Sequence, residues 1–596
     1  MCTTFGQPWG PCFLSTQTSP QLRRRSITGC RQQRLNTSWV SEHTYLSCSG
    51  SPLITLLGAE VIAPAVRACL TPECPQQGKP LGGHKKQYLA TLYTRQRGTL
   101  PVQVISLYCK GCHTTYRPDY FVQNASAPDA VRQYYPSMPK YLEASEYSFV
   151  ESSLIELFRN QMAVSQWVAM NSLVWYFLLN FRSASGEVVA RIYNMGLSDI
   201  LEARPLSADT VWHAFYLHAL LLDCRRRSER LRLPHAGVHA ARLLDALEAR
   251  NTRMAGVGQP HWAHACDECE KLYPPPDPAK PGATWERLSA CVMDGVTVGH
   301  PRCNESLCTN RLRSPRDRFC AEHDKLNKVC SVTGCALNAE DNMRTCRTPE
   351  HREYEKTKRE EGKAFFRLKK HRADGRRNGA AKRSSRAVPS KRNGKQSDPP
   401  AMVVKGSLGR RWTHNEQLMF WTCGVIISRA TFYESESVHN ALTFILATFP
   451  DHLPRALPSY LFFDNNCNLL KHILHNHEHR LDDVGLPVDV FHALRKHKES
   501  DGFCVMNCNP ANFKELYSEL LGWLFNSSAA EQGNVWFGKF MPVVREMSEI
   551  HYNFFLDEMI LIHNEQRVAL LEKRGLHPRL VPIEELALPR APVHAL

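Results

Sequence analysis

Between Cys303 and His351 the chain writes one ligand pattern twice, and this repeat constrains its folding more than any other feature. The first half reads Cys303-x4-Cys308-x11-Cys320-x2-His323 and the second reads Cys330-x4-Cys335-x10-Cys346-x4-His351. Three thiolates and one imidazole in each half make the closed four-ligand shell of a structural zinc site, which leaves no position open for a substrate. The spacing alone leaves open whether the halves exchange ligands.

Paired cysteines recur outside the repeat. Ten of the 22 cysteines stand in C-x2-C or C-x4-C pairs, and no compact apolar segment with a cleavage site opens the chain. That usage favours zinc in a reducing compartment over a disulfide framework. Cys69 and Cys74 follow one apolar segment, and Cys109 and Cys112 end another, with "LATLYTRQRGTLPVQVISLYC" reading as a hairpin between them. Two ligand pairs at the ends of short elements are the layout of a zinc ribbon, in which His113 is a bystander. In "HWAHACDEC", Cys266 and Cys269 stand beside His261 and His264 and either hold a metal locally or borrow ligands from elsewhere. His492, His497, Cys504 and Cys508 follow H-x4-H-x6-C-x3-C spacing, which suits zinc; the other reading is a histidine-rich loop whose imidazoles contact phosphate.

At 596 residues and 43% hydrophobic content the chain has room for several folded domains. A net charge of +16 points to a polyanionic partner, with nucleic acid ranking ahead of an acidic membrane surface. The most apolar window, Trp167 to Phe181, is too short and too interrupted by amides to span a bilayer and reads as a buried helix. Residues 1–48 read as a disordered basic tail, although their lack of acids before Glu42 also matches a transit peptide. Residues 49–135 read as the ribbon-like cluster, 136–255 as a helical domain, and 256–299 as the first part of an α/β core. The double zinc cluster follows at 300–352, then a disordered basic linker at 353–411, the second part of the core at 412–570 and a tail at 571–596. In the linker Lys369, Lys370, Arg372, Arg376, Arg377, Lys382 and Arg383 form clusters of nuclear-import type that can also neutralise phosphates.

Three carboxylates stand out from this background. Asp294 ends the apolar run "LSACVMD", and Asp464 ends "PSYLFFD", so each sits where a buried strand stops. Glu531 lies in the first turns of a long helical segment that begins at "NSSAAEQGNVWF", with Asn526 or Ser527 as N-cap. A glutamate near a helix start ordinarily does no more than complement the dipole. Delivered together, two aspartates and one glutamate form an oxygen-ligand site for Mg2+ or Mn2+. Two such ions promote in-line phosphoryl displacement, the chemistry of DNA strand cleavage and transfer.

The runs "FFDNNCNLLKHI", "FHALRKHKESDGFCVMNCNPANFKEL" and "NSSAAEQGNVWF" resemble the catalytic half of the Kyakuja-Dileera-Zisupton (KDZ) transposases. "ACLTPEC" with "LYCKGCHTTYRPDYFV" resembles one cysteine-cluster domain associated with those transposases in fungi, and "MDGVTVGHPRC" with the repeat resembles another. These resemblances cover roughly residues 50–125 and 260–565. They imply an RNase H-like α/β core and a DDE-type site, with Asp294 as first acid, Asp464 as second and Glu531 as third. The zinc module is then an insertion after the first catalytic strand. A core of this kind normally returns sooner than the interval from Asp294 to Asp464; Asp451, Asp482 and Asp483 lie in polar, loop-like surroundings. The implied protein is nuclear, acts on transposon ends and target DNA, works as a homo-oligomer and has no membrane association. Two alternatives remain: a domesticated, inactive zinc protein that binds DNA or chromatin, and an RNA-directed nuclease of the same fold.

Overall fold

The computed structural model describes residues 60–165, 206–274, 286–361, 404, 408–495, 497–498 and 500–590. The readings of the basic tail, of the apolar run 167–181 and of the basic clusters at 369–383 lie outside these residues.

The N-terminal part is a mixed sheet. Strands β1 (Glu60–Ile62), β2 (Gly82–Thr94), β3 (Gly98–Tyr108), β4 (Thr114–Tyr116), β5 (Tyr120–Gln123), β6 (Val131–Tyr134), β7 (Tyr141–Ser145), β8 (Ser148–Glu151) and β9 (Arg232–Pro234) join in the order β7-β8-β2-β3-β4-β5-β6-β9, with β1 paired to β3. Strands β2 and β3 form the expected hairpin, whose turn exits through Gly98 at φ +70. The sheet continues past residue 135, so the segment expected to be wholly helical opens with the β7–β8 hairpin; "YLEAS" and "SFVE" are short strands missed beside the stronger helical pattern that follows. Helices α1 (Ser152–Ser165), α2 (Ala208–Arg226) and α3 (Leu244–Met254) then pack beside this sheet and against the C-terminal helix.

The second sheet carries the candidate site. Its strands are β11 (Glu270–Tyr273), β12 (Glu286–Val296), β15 (Asn415–Trp421), β16 (Ile426–Phe432) and β17 (Tyr460–Phe462). Three short pairs stand apart from it: β10 (His264–Ala265) with β20 (Arg579–Leu580), β13 (Pro301–Arg302) with β14 (Arg411–Trp412), and β18 (Tyr517–Ser518) with β19 (Gly522–Trp523). Strand β12 is central. It runs antiparallel to β15, which pairs antiparallel with β16, and parallel to β17 through Ala290↔Tyr460, Cys291↔Leu461 and Val292↔Phe462. On the far edge of β17 the Gly485 backbone bridges in parallel to Tyr460. A Cβ on Gly485 would collide with the Tyr460 ring, so this close approach requires glycine.

Strand β15 ends at Trp421, and the turn to β16 passes through Gly424 at φ +89. Because β12 and β15 are neighbours, everything from Cys303 to Arg410 is an excursion between adjacent strands, closed at its base by β13 and β14. Within it lies helix α4 (Pro349–Glu361).

Alternation along the strands buries both faces of the sheet. Ala290, Val292, Leu418, Phe420, Tyr460 and Phe462 join one apolar cluster, while Cys291, Met293, Met419, Trp421, Leu461 and Phe463 join another. The second face is covered by α5 (Val438–Thr448), capped by Ser437, and by α6 (Asn466–Asn476). After the short helices α7 (Val490–Arg495) and α8 (Gly502–Asn507), the first face is covered by α9 (Ala529–Phe537) and α10 (Glu549–Lys573). The long helix expected after Asn526 is thus two helices. Ser528 stands at the N-cap of α9, Gly538 and Pro542 interrupt the run, and Ser548 precedes α10.

Helix α10 is tied to the N-terminal part by a buried charge group. Glu558, 0% exposed, accepts from Arg159 Nε at 2.8 Å and from Arg250 Nη2 at 2.6 Å, and Arg250 also covers the Phe554 ring. Removing the shared carboxylate leaves Arg250 with Asp223 at 3.7 Å and Arg159 with Glu565 at 3.6 Å, longer pairings for two guanidinium groups in the core. Glu558→Ala is expected to lower unfolding free energy by about 3–5 kcal/mol in denaturant titration. A loss below about 1 kcal/mol, the range of exposed pairs, would mean that the arginines find other partners.

Candidate functional site

Soft ligands collect in separate, mostly buried groups. Around zinc, bonded at about 2.3 Å to sulfur and about 2.0 Å to nitrogen, neighbouring ligand atoms stand roughly 3.5–3.8 Å apart. In the ribbon-like cluster Cys69 and Cys112 sulfurs lie 3.6 Å apart and those of Cys74 and Cys109 3.8 Å apart. Although burial opposes it, hydrogen bonds with Thr114 and Thr71 draw the Cys112 thiol down to about 6, toward the thiolate that binds metal.

The two halves of the repeat do not exchange ligands. Cys303, Cys308, Cys320 and His323 form one group and Cys330, Cys335, Cys346 and His351 the next. Their contacts include Cys308–Cys320 at 3.9 Å, Cys303–His323 Nδ1 at 3.6 Å, Cys335–Cys346 at 3.8 Å and Cys330–His351 Nδ1 at 3.5 Å. All are far longer than the roughly 2.05 Å of a disulfide, and all suit a metal shell.

Cys266 and Cys269 do borrow. Their sulfurs are 3.6 Å apart, and the group is completed by His264 and Cys423, with Cys423 Sγ 3.4 Å from His264 Nε2. Sequence spacing missed Cys423 because it sits in the β15–β16 turn, far along the chain from Cys269. Its one local signal is a cysteine next to a turn glycine, with no ligand partner in its own segment.

The group predicted from His492, His497, Cys504 and Cys508 needs correction. Cys467, His497 and Cys504 converge, Cys508 packs in the same buried cluster, and His492 lies elsewhere. His492 is on α7, where Asp489 caps the helix by accepting from the Phe491 and His492 backbone N–H groups. His492 Nδ1 stands 3.0 Å from Asp489 Oδ2 and 3.4 Å from Glu531 Oε1. His497 follows the end of α7 and faces the sulfurs. The missing thiol comes from Cys467 in the first turn of α6.

The three predicted acids meet at the second sheet. Asp294 continues the series Ala290, Val292 and so points to the face that α9 covers, while Asp464 lies in the turn after β17, near enough for its charge to act on the Asp294 carboxyl. The last registered pair, Val292↔Phe462, lies two residues before each aspartate, so the parallel pairing brings the two segments that carry them together. Helix α9 packs on β12 and β15, closely enough that a Cβ on Gly533 would collide with the Phe420 ring. It presents Glu531 and, one turn on, Asn534, whose Nδ2 donates to Asp294 Oδ2 at 2.8 Å. The Gly295 backbone N–H donates to Asp294 Oδ1 at 2.8 Å.

Burial, opposed by the Gly295 hydrogen bond and reinforced by the Asp464 charge, raises the Asp294 carboxyl. Burial and the charges of Asp489 and Asp294 raise that of Glu531. Glu531 Oε2 is buried without a hydrogen-bond partner. Asp489, which the sequence reading overlooked, accepts from Ser527 Oγ at 2.5 Å. Its signal was the Asp489-x2-His492 spacing at a helix start. Four carboxylates, one with an unpartnered oxygen, form a hard-ligand set suited to a divalent cation.

The fold and its sites define a mixed α/β protein with several clusters suited to zinc. Residues 57–180 match the family model of a CxC5-like cysteine cluster associated with KDZ transposases, and residues 292–357 match that of a CxC6-like cluster with the same association. Both cluster models are ones associated with KDZ transposases, which supports a relation of this chain to that family. No curated protein matches the chain, and no solved structure does. No helix among the described residues is long and apolar enough to cross a membrane.

Two measurements check these sites. Zinc content by mass spectrometry is expected to fall by one equivalent in Cys423→Ser; an unchanged content removes Cys423 from the ligand set. The raised carboxyls of Asp294 and Glu531 favour the metal-free fold at low pH, and that contribution is lost as pH rises through their raised values. A cation needs the ionised forms, so Mn2+ is expected to raise the melting temperature at about pH 7.5 and to have little effect near about pH 4. A pH-independent shift would locate Mn2+ away from these acids.

Proposed function

We propose that this chain is a DDE-type DNA transposase, with an RNase H-like core interrupted by a zinc-binding insertion. The observation that carries the reading is the convergence of Asp294, Asp464 and Glu531 from two neighbouring parallel strands and the helix above them. Three antiparallel strands, β12, β15 and β16, followed by a parallel strand on the far side of the first, fit the core that the family resemblance implies.

Asp294, Asp464 and Glu531 would hold Mg2+ or Mn2+. Bound there, the ions supply activation of a water or 3′-hydroxyl and stabilisation of the leaving oxygen in phosphoryl transfer. The protein's part is orientation. Asn534 and the Gly295 N–H fix both oxygens of Asp294, and His492 Nδ1, against Asp489, stands beside Glu531. The metal clusters suit closed structural shells and hold modules in place around this site.

The substrate is DNA, both transposon ends and target. The net charge of +16 supports a phosphate backbone as partner and predicts salt-dependent affinity. The basic clusters from Lys369 to Arg383 support a nuclear location, and the active form is a homo-oligomer.

The test is nicking of supercoiled DNA in Mg2+ by the wild type, Asp294→Asn, Asp464→Asn and Glu531→Gln. Each variant is expected to lose roughly a hundred-fold or more, at least the largest loss seen when an outer-sphere partner of a metal site is removed. Equal activity in wild type and Asp464→Asn would leave a domesticated DNA- or chromatin-binding protein. Preference for RNA-containing duplexes would favour a nuclease directed at RNA.

A further inference from the structure

One soft-ligand group touches the acid site directly and lies outside both segments matched by the cysteine-cluster families. Cys467 stands in the first turn of α6, immediately beyond Asp464 and Asn465. His497 Nδ1 lies 3.2 Å from Cys504 Sγ and 3.9 Å from Cys467 Sγ, and these ligand atoms lie within 4.8 Å of one another. Cys508 shares their buried cluster, and its backbone N–H donates to the Cys504 carbonyl at 2.8 Å. On the other side of the same ring, His497 Nε2 is 2.9 Å from the carbonyl oxygen of Asp464.

We propose that Cys467, His497 and Cys504 hold a zinc ion, with Cys508 of the same buried cluster drawn in as fourth ligand on binding, and that this ion positions Asp464, a role that rests on reading Asp464 as a catalytic acid. A neutral imidazole that gives Nδ1 to a metal keeps its proton on Nε2. Zinc therefore selects the tautomer that donates to Asp464. Strand β17 ends at Phe462, so the backbone of Asp464 has no ladder partner of its own and depends on such local bonds. Asn466 reinforces the turn, its Nδ2 donating to the Leu461 and Pro487 carbonyls at 2.7 Å each. Asp464 is then held on one side by the sheet and on the other by a metal-bound ring. His497 is a positioning residue in this scheme, reaching the site through the main chain.

The experiment separates the zinc from the acids. Zinc content and Mn2+ affinity, the latter by electron paramagnetic resonance, are measured on the full chain for wild type, Cys504→Ser and His497→Cys. Cys504→Ser is expected to lose one zinc equivalent. His497→Cys keeps four soft ligands but removes the donor to Asp464; it is expected to retain zinc and wild-type melting while binding Mn2+ about ten-fold more weakly, in the range for loss of an outer-sphere partner. Unchanged zinc in Cys504→Ser overturns the metal site. Wild-type Mn2+ affinity in zinc-loaded His497→Cys overturns the positioning role. A wild type that binds no Mn2+ overturns the reading of the acids and the positioning role with it, while the Cys504→Ser zinc count still decides the metal site.

Discussion

The parallel pairing of β12 with β17 is the constraint on which the candidate site depends. Few backbone pairs define it, yet they set the register that brings Asp294 beside Asp464 across a long stretch of sequence. A one-residue slip of β12 would turn Asp294 to the opposite face, toward α5 and α6 instead of α9. That register is secured by burial. The residues before each aspartate alternate between two apolar clusters, so any slip would exchange the contents of both faces at once. The same burial raises the Asp294 carboxyl, so the packing that fixes the geometry also makes ionisation there costly without a cation.

The excursion between β12 and β15 is tolerated because its base is fixed to the sheet. Strands β13 and β14 pair at its neck, and Glu434 joins Arg302 and Arg411 from the two sides. Leu307 N–H donates to the same Glu434 carboxylate at 3.0 Å, and Trp412 Nε1 donates to the Arg545 carbonyl at 3.0 Å. The zinc-suited groups serve where apolar residues are scarce: metal binding free energy replaces the core that so short a module lacks. This lets a large insertion interrupt a sheet without loosening the strands on either side.

Legibility differed between the two kinds of site for a physical reason. Ligand spacing is local within the repeat, so those eight ligands follow from short intervals, whereas their division into two separate groups shows only in the structure. Spacing failed where ligands come from distant elements, as with Cys423 in a turn and Cys467 at a helix start. It failed again at His492, because soft-ligand spacing does not reveal that the end of α7 separates His492 from His497. The acids were found from strand ends and the family resemblance. Asp489 was passed over because a helix-capping aspartate has the same local pattern whether or not other carboxylates surround it. The β7–β8 hairpin and the break between α9 and α10 were hidden by stronger helical patterns beside them.

The chain sorts its donors by softness. Thiols and metal-facing imidazole nitrogens collect in closed groups, which suits zinc; carboxylates collect under α9 with an oxygen left unpartnered, which suits a hard divalent ion. The boundary runs between two nearby histidines. Asp489 holds His492 among the carboxylates, whereas His497 turns one nitrogen to sulfur and the other to the Asp464 backbone. Were His492 drawn into the sulfur group, α7 would have to give up its Asp489 contact and Glu531 would lose its neighbouring imidazole. The carboxylate that caps α7 therefore does more than begin a helix: its contact with the His492 ring holds that imidazole in reach of Glu531 and apart from the sulfur group.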